Sequence, residues 1–190
     1  MEISFIRHGR STWTNQHKIT ASELRTWILQ YDQSGIITEA PVPVASKTKA
    51  IKASLLVTSD LLRSISSATH LSGRSPDVAD GLFREVEIPA PPTLFNRIRL
   101  RPGTWLILMR IAWLFGYSNH CESKVAATKR AIAAAELLVE FAEQHQSITL
   151  IGHGIFNKLI AKELLKRGWQ NEKKHSTKHW ACVSYVRRSE

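Results

Sequence analysis

Short apolar runs alternate with longer amphipathic stretches along this chain, a pattern typical of strands that alternate with helices. Strands are predicted at 3–6, 55–58, 77–79, 148–151 and 183–186. Helices are predicted over about 22–31, 46–53, 60–71, 122–144 and 155–167. This order predicts an α/β fold in three layers, α/β/α, with helices on both faces of a mostly parallel sheet.

Polar residues follow three of the predicted strands. They are Arg7-His8-Gly9, Ser59-Asp60 with Arg63 one turn later, and Gly152-His153-Gly154. Either Ser59 or Asp60 is a suitable N-cap for the helix that follows. Because ligands bind at the carboxyl ends of parallel strands, we expect two histidines and two arginines to converge there.

This set of residues points to the chemistry of a phosphoryl group. Arginines bind phosphate oxygens, and nearby positive charge favours the neutral, nucleophilic form of an imidazole. One histidine can then attack phosphorus while the other stabilises charge. A general acid is also needed, and Glu85 and Glu87 lie on a loop in the right part of the chain.

The ordered motifs resemble the histidine phosphatase superfamily, which has the phosphoglycerate-mutase-like fold. The matching segments are Arg7-His8-Gly9, Ser59-Asp60-Leu61-Leu62-Arg63, Phe83-Arg84-Glu85, Cys121-Glu122-Ser123 and His153-Gly154. The resemblance implies that His8 becomes a phosphohistidine and that Arg7, Arg63 and His153 bind the phosphoryl group. It also implies that Glu85 is the proton donor, with Glu87 as its rival, and that neither metal nor cofactor is required.

The residues between the motifs suggest one domain over 1–190 with an insertion or lid at about 90–120. This segment alternates arginines with large apolar side chains, and its second half is predicted to be a helix that is apolar nearly all round. Such a helix is buried, closes a site or forms a contact surface. Its arginines either form a solvated face or rim the site.

The net charge of +10 implies an anionic partner and leaves three functions open. They are a phosphatase, a mutase that returns the phosphoryl group to its substrate, and a non-catalytic binder of anions. The expected partner is a phosphorylated small molecule or phosphoprotein, with no nucleic acid and no membrane. The substrate and the oligomeric state stay open.

Cysteine usage and the first residues bear on the compartment. Cys121 and Cys182 form no CxxC motif, which favours a reducing compartment. Arg7 and His8 interrupt the first apolar run, so no signal peptide is predicted and a cytoplasmic protein is expected.

Two further features have structural interpretations. His175 and His179 have the i, i+4 spacing of metal ligands, but their lysine-rich surroundings favour a solvated basic face. Glu122 is expected to be a helix-start residue or a supporting partner rather than a catalyst.

Overall fold

The computed structural model describes residues 1–39, 41–171 and 176–187. The helices are α1 (Glu23–Asp32), α2 (Val44–Lys52), α3 (Leu62–Ser72), α4 (Pro102–Leu114), α5 (Lys124–His145) and α6 (Gly154–Lys166). The strands are β1 (Glu2–Arg7), β2 (Leu55–Thr58), β3 (Val78–Ala79), β4 (Ser147–Gly152) and β5 (Cys182–Val186). Short 3-10 helices span Gly81–Phe83 and Thr93–Arg97.

The five strands form one mixed sheet in the order β3-β2-β4-β1-β5. Every neighbouring pair is parallel except β1 and β5, which are antiparallel. Central strands β1 and β4 are buried along nearly their whole length, as expected for strands covered on both faces. The predicted α/β fold with a mostly parallel sheet is therefore confirmed.

Alternate side chains of the central strands pack into two separate cores. Ile3 and Phe5 of β1 join the core beneath α5 and α6, whereas Ile6 joins the core beneath α2 and α3. A row of alanines on α5 is completely buried, which lets that helix approach the sheet closely. The two cores account for the three-layer arrangement, since each face of the sheet needs its own cover.

Helices α1 and α4 share a third, smaller core. Leu24 and Ala21 pack there with Trp105 and Met109, and the backbones of Ile19 and Leu100 pair. The predicted helix in the second half of 93–119 is thus confirmed, and its tryptophans Trp105 and Trp113 are buried. Its opposite side is exposed, so α4 covers α1 with one face only.

The predicted N-cap at the start of α3 is wrong. The N-cap residue is Leu61, and no side chain caps this end of the helix. The Ser59 hydroxyl instead hydrogen-bonds His153, and Asp60 forms an ion pair with Arg84. Both polar side chains are therefore engaged elsewhere.

Within the described ranges, no helix combines the length and the apolar character needed to cross a membrane.

Candidate active site

Strand register places the two motif histidines next to each other. Arg7 of β1 lies opposite Gly152 of β4, so His8 and His153 are the first residues beyond two paired strands. The His8 backbone N–H donates to the Gly152 carbonyl over 3.0 Å. The imidazole ring centroids are 5.0 Å apart at 61°, an edge-to-face arrangement. The expected convergence of the histidines is confirmed.

The hydrogen bond of the His8 ring determines which nitrogen is free. Nδ1 lies 2.7 Å from the Gly9 carbonyl oxygen, which can only accept, so Nδ1 carries the proton. Burial lowers the pKa of His8 well below its usual 6.5, and Arg63 and Arg7 lower it further. His8 is therefore neutral at pH 7, and its Nε2 holds the free lone pair of a nucleophile.

His153 differs from His8 in which ring nitrogen is already hydrogen-bonded. Its Nε2 lies 2.7 Å from the Ser59 hydroxyl, which also accepts from the Leu61 backbone N–H. In the tautomer in which this hydroxyl donates to Nε2, Nδ1 carries the ring proton and is an N–H donor. Burial, followed by the nearby His8 and Arg63, holds the pKa of His153 well below 6.5. Its Nδ1 is buried without a hydrogen-bond partner among the described residues.

Two arginines bring positive charge to the histidines. Arg63 is 3% exposed, pairs with Asp32 over 2.8 Å and lies 4.5 Å above the Tyr31 ring. Arg7 donates through one terminal nitrogen to the Thr177 carbonyl. The Nε atoms of both arginines are buried and find no acceptor in the described part of the chain. Together with His153 Nδ1 they are three buried donors that an anion would satisfy.

The two candidate acids occupy different positions. Glu85 accepts from the backbone N–H groups of Ile155 and Phe156 over 3.1 and 2.9 Å, in the first turn of the helix that follows His153. Glu87 accepts from the backbone N–H of Glu122 over 2.7 Å, beside the start of α5. Helix α6 therefore fixes Glu85 next to His153. Glu122 itself pairs with Arg130, in keeping with the supporting role expected of it.

A cavity of about 960 Å³ opens beside these residues. Its wall includes Arg7, Arg63, Glu85 and Glu87, but not His8 or His153, which are 2% and 0% exposed. Arg110 also reaches this wall, whereas the exposed Arg97, Arg99 and Arg101 do not. Arg110 therefore lies at the rim of the site, whereas Arg97, Arg99 and Arg101 form a solvated face.

His179 is not part of a solvated basic face, and that expectation is wrong. Its ring is half-buried 5.4 Å from the His8 ring, and its Nδ1 lies 2.9 Å from the His8 carbonyl oxygen. Because β5 is antiparallel to β1, it enters the sheet at the edge where β1 ends. The neighbouring candidate His175 lies outside the described residues, and the structure describes no cluster of three or more potential metal ligands.

The sequence matches the model of a family described as "Histidine phosphatase superfamily (branch 1)" over residues 39–190. The chain belongs to the histidine phosphatase superfamily. The matched range contains Arg63, Glu85 and His153, and it begins after Arg7 and His8. No curated protein sequence matches this chain.

Solved structures of similar fold agree with this membership. A mutant phosphoserine phosphatase from Entamoeba histolytica in complex with phosphoserine is 13% identical, with a TM-score of 0.55 over 98% of this chain and 91% of that one. The same enzyme with 3-phosphoglyceric acid is 14% identical, with a TM-score of 0.54 over 97% and 90%. A putative alpha-ribazole-5'-P phosphatase from Escherichia coli is 16% identical, with a TM-score of 0.54 over 86% and 79%. At such low identities, the structural similarity shows a shared fold alone.

Sequence reasoning missed three supporting residues of this superfamily member. Asn157 accepts from the His153 backbone N–H over 3.2 Å and donates to the Ile6 carbonyl over 3.4 Å, which ties the ends of β4 and β1 together. The sequence signal for Asn157 is its position one helical turn after His153. The roles of Asp32 and of the Ser59 hydroxyl have no local sequence signal, because their partners Arg63 and His153 are distant in sequence.

Proposed function

We propose that this chain is a phosphatase that hydrolyses a phosphomonoester through a phosphohistidine on His8. The observation that carries the proposal is the pairing of a neutral His8, whose Nε2 lone pair is free, with three buried donors that have no acceptor among the described residues. A nucleophile beside unoccupied anion donors suits attack on phosphorus. Family membership and the fold shared with phosphatases support the same reaction.

In the first step, the Nε2 lone pair of His8 attacks phosphorus and the bond from phosphorus to the ester oxygen breaks. Arg7, Arg63 and His153 donate to the three remaining phosphoryl oxygens, where negative charge accumulates. Glu85 delivers its proton to the departing alkoxide. The position of Glu85 against the first turn of α6 favours it over Glu87 for this role.

In the second step, water attacks the phosphohistidine. The Glu85 carboxylate removes a proton from the water, the phosphorus–nitrogen bond breaks, and its electron pair returns to His8. Inorganic phosphate then dissociates from Arg7 and Arg63. A mutase would instead return the phosphoryl group to the bound product, so the two reactions differ in whether phosphate is released.

The test is the release of phosphate from p-nitrophenyl phosphate by the wild-type chain and by His8→Ala. We expect the variant to lose at least about a thousandfold in kcat, because the covalent route is removed. His17→Ala, which removes an exposed histidine, is the matched control and should retain full activity. A second assay follows radiolabelled phosphate from the substrate, which should remain on wild-type protein only.

Full activity in His8→Ala would overturn the proposal. Substrate consumption with isomerised ester and no released phosphate would establish the mutase instead. If the protein binds anions but catalyses neither phosphate release nor isomerisation, the remaining alternative is a non-catalytic binder of anions.

A further inference from the structure

The cavity beside Arg7 and Arg63 is much larger than a phosphoryl group. Its volume of about 960 Å³ lies at the upper end of the range for small-molecule sites. Helices α1 and α4 form two of its walls, and the loop that carries Glu85 and Glu87 forms another. The space therefore has to accommodate the remainder of the substrate, the part that leaves as an alcohol.

The two helical walls present mostly apolar side chains to this space, beside Arg25, Asp32 and Arg110. Their apolar lining residues are Leu24, Trp27, Ile28 and Leu29 from α1 and Leu106, Ile107 and Ile111 from α4. Ile107 and Ile111 are 63% and 48% exposed, so water contacts them in the absence of a ligand. An apolar ligand that covers these side chains gains the free energy of removing both surfaces from water.

Most of the charged groups in the wall already have partners within the protein. Arg84 forms an ion pair with Asp60 over 2.6 Å, and Arg130 forms one with Glu122. Arg110 donates to the carbonyl oxygens of Val86 and Glu87 over 2.7 and 3.2 Å. Arg25 is exposed, where solvent screens its charge. Away from Arg7 and Arg63, the described arginines of the wall are therefore paired with a carboxylate, exposed to solvent or, as for Arg110, already hydrogen-bonded to carbonyl oxygens.

A stack of side chains connects the phosphate end to the apolar end. The guanidinium of Arg63 lies 4.5 Å above the Tyr31 ring, and Tyr31 stacks on Trp27 at 5.5 Å and 12°. All three side chains line the cavity. A phosphoryl group held at Arg63 thus places its ester substituent along the aromatic wall of α1.

We infer that the substrate of this site is a phosphomonoester of a bulky, uncharged, apolar alcohol. This inference rests on the proposed function, and it specifies the part of the substrate that the catalytic residues do not contact. It disfavours small, multiply charged esters such as phosphoglycerates and phosphoamino acids.

The test compares a series of straight-chain alkyl phosphates from ethyl to hexyl phosphate. Chain length changes the apolar area but leaves the chemistry at the ester bond nearly constant, so the series isolates binding in the cavity. We expect kcat/KM to rise about twofold to fourfold with each methylene, as the removal of that much apolar surface from water predicts. Phosphoserine should be turned over less well than butyl phosphate.

Two variants then show whether the dependence of kcat/KM on alkyl length arises at the apolar wall of the cavity. Ile107→Asp places a charge in the cavity at an exposed position, so the fold should survive, and the gain along the series should shrink to less than twofold overall. Phe115→Asp introduces the same negative charge at an 89% exposed position outside the cavity wall. This variant should keep the wild-type rise of kcat/KM with alkyl length. Equal responses of the two variants would contradict the inference.

The outcomes separate this inference from the proposed function. Hydrolysis that depends on His8 but does not change with alkyl length overturns the inference and leaves the phosphatase intact. If no ester is hydrolysed, calorimetric binding of ethyl- to hexylphosphonate still decides the question. Affinity that rises with length, and falls in Ile107→Asp, supports the apolar site, whereas a flat series overturns it.

Discussion

Arg63 carries a buried positive charge that two neighbours compensate. Asp32 contributes an ion pair at the end of α1, and the face of Tyr31 contributes a cation–π contact. The Asp32 side chain is 37% exposed, so it can move away from the guanidinium more easily than Arg63 can move from the core. In the proposed function, the phosphoryl group and Asp32 therefore compete for the same buried guanidinium.

Replacing this carboxylate should strengthen phosphate binding. In Asp32→Asn the competing charge is removed, and we expect KM for p-nitrophenyl phosphate to fall about twofold to fivefold, the range for a partly exposed ion pair. Steady-state kinetics measures the change. Asp77→Asn is the control, since Asp77 is 36% exposed and pairs with Arg74, which does not line the cavity. A rise in KM would show that Asp32 chiefly orients Arg63.

At the scale of elements, the antiparallel strand β5 supplies one side of the site. The residues just before it run along the end of β1, where the Trp180 N–H donates to the Arg7 carbonyl over 3.0 Å. The Trp180 indole then packs directly over Gly9. A Cβ atom added to Gly9 would lie only 2.2 Å from an indole carbon. The glycine of the Arg7-His8-Gly9 motif is thus required by packing between two elements.

Gly9→Ala should therefore destabilise the protein. We expect the free energy of unfolding in urea to fall by about 1–3 kcal/mol, the usual cost of an overpacked position. Gly103→Ala is the matched control, because the added Cβ meets nothing within 4 Å there and alanine favours the helix. Equal unfolding free energies for Gly9→Ala and the wild type would mean that Trp180 moves aside freely.

The elements and the parallel strand ends could be predicted from the sequence because both follow local patterns. Apolar runs gave the strands, and polar residues directly after them located Arg7, His8 and His153. The direction of β5 could not be predicted, since pairing depends on distant partners, and His179 was consequently misplaced. The same limit applies to Asp32 and Ser59, whose roles come from contacts with Arg63 and His153.

At the scale of the whole molecule, the fold encloses three histidines in a cationic environment. Burial is the leading cause that lowers the pKa of His8, His153 and His179, and Arg7 lowers all three further. The folded state therefore resists protonation at these positions, whereas the unfolded chain takes up protons near pH 6.5. Folding and protonation of these histidines oppose each other.

Stability should accordingly fall with acidification. The unfolded state binds more protons once the pH drops below about 6.5. The contribution of the three neutral histidines to the free energy of unfolding is therefore complete above that pH and is lost below it. We expect the unfolding free energy to decrease by up to about 1.4 kcal/mol per pH unit for each histidine. Urea titrations between pH 7.5 and 5 measure this slope.

A variant identifies the groups responsible for the slope. His153→Asn should reduce it, whatever its effect on stability at neutral pH. His17→Asn, at an exposed position, is the control and should leave the slope unchanged. An unaltered slope in His153→Asn would assign the acid sensitivity to other groups.

The pairing of β1 with β5 also has a consequence for synthesis of the chain. Strand β1 leaves the ribosome well before its neighbours β4 and β5, which begin at Ser147 and Cys182. At ordinary elongation rates the first strand waits roughly ten to forty seconds for them, with its apolar residues unpaired. During that interval His8 has neither His153 nor Trp180 beside it. A nascent chain truncated before residue 176 should therefore be a client for chaperones, however well its earlier helices have formed.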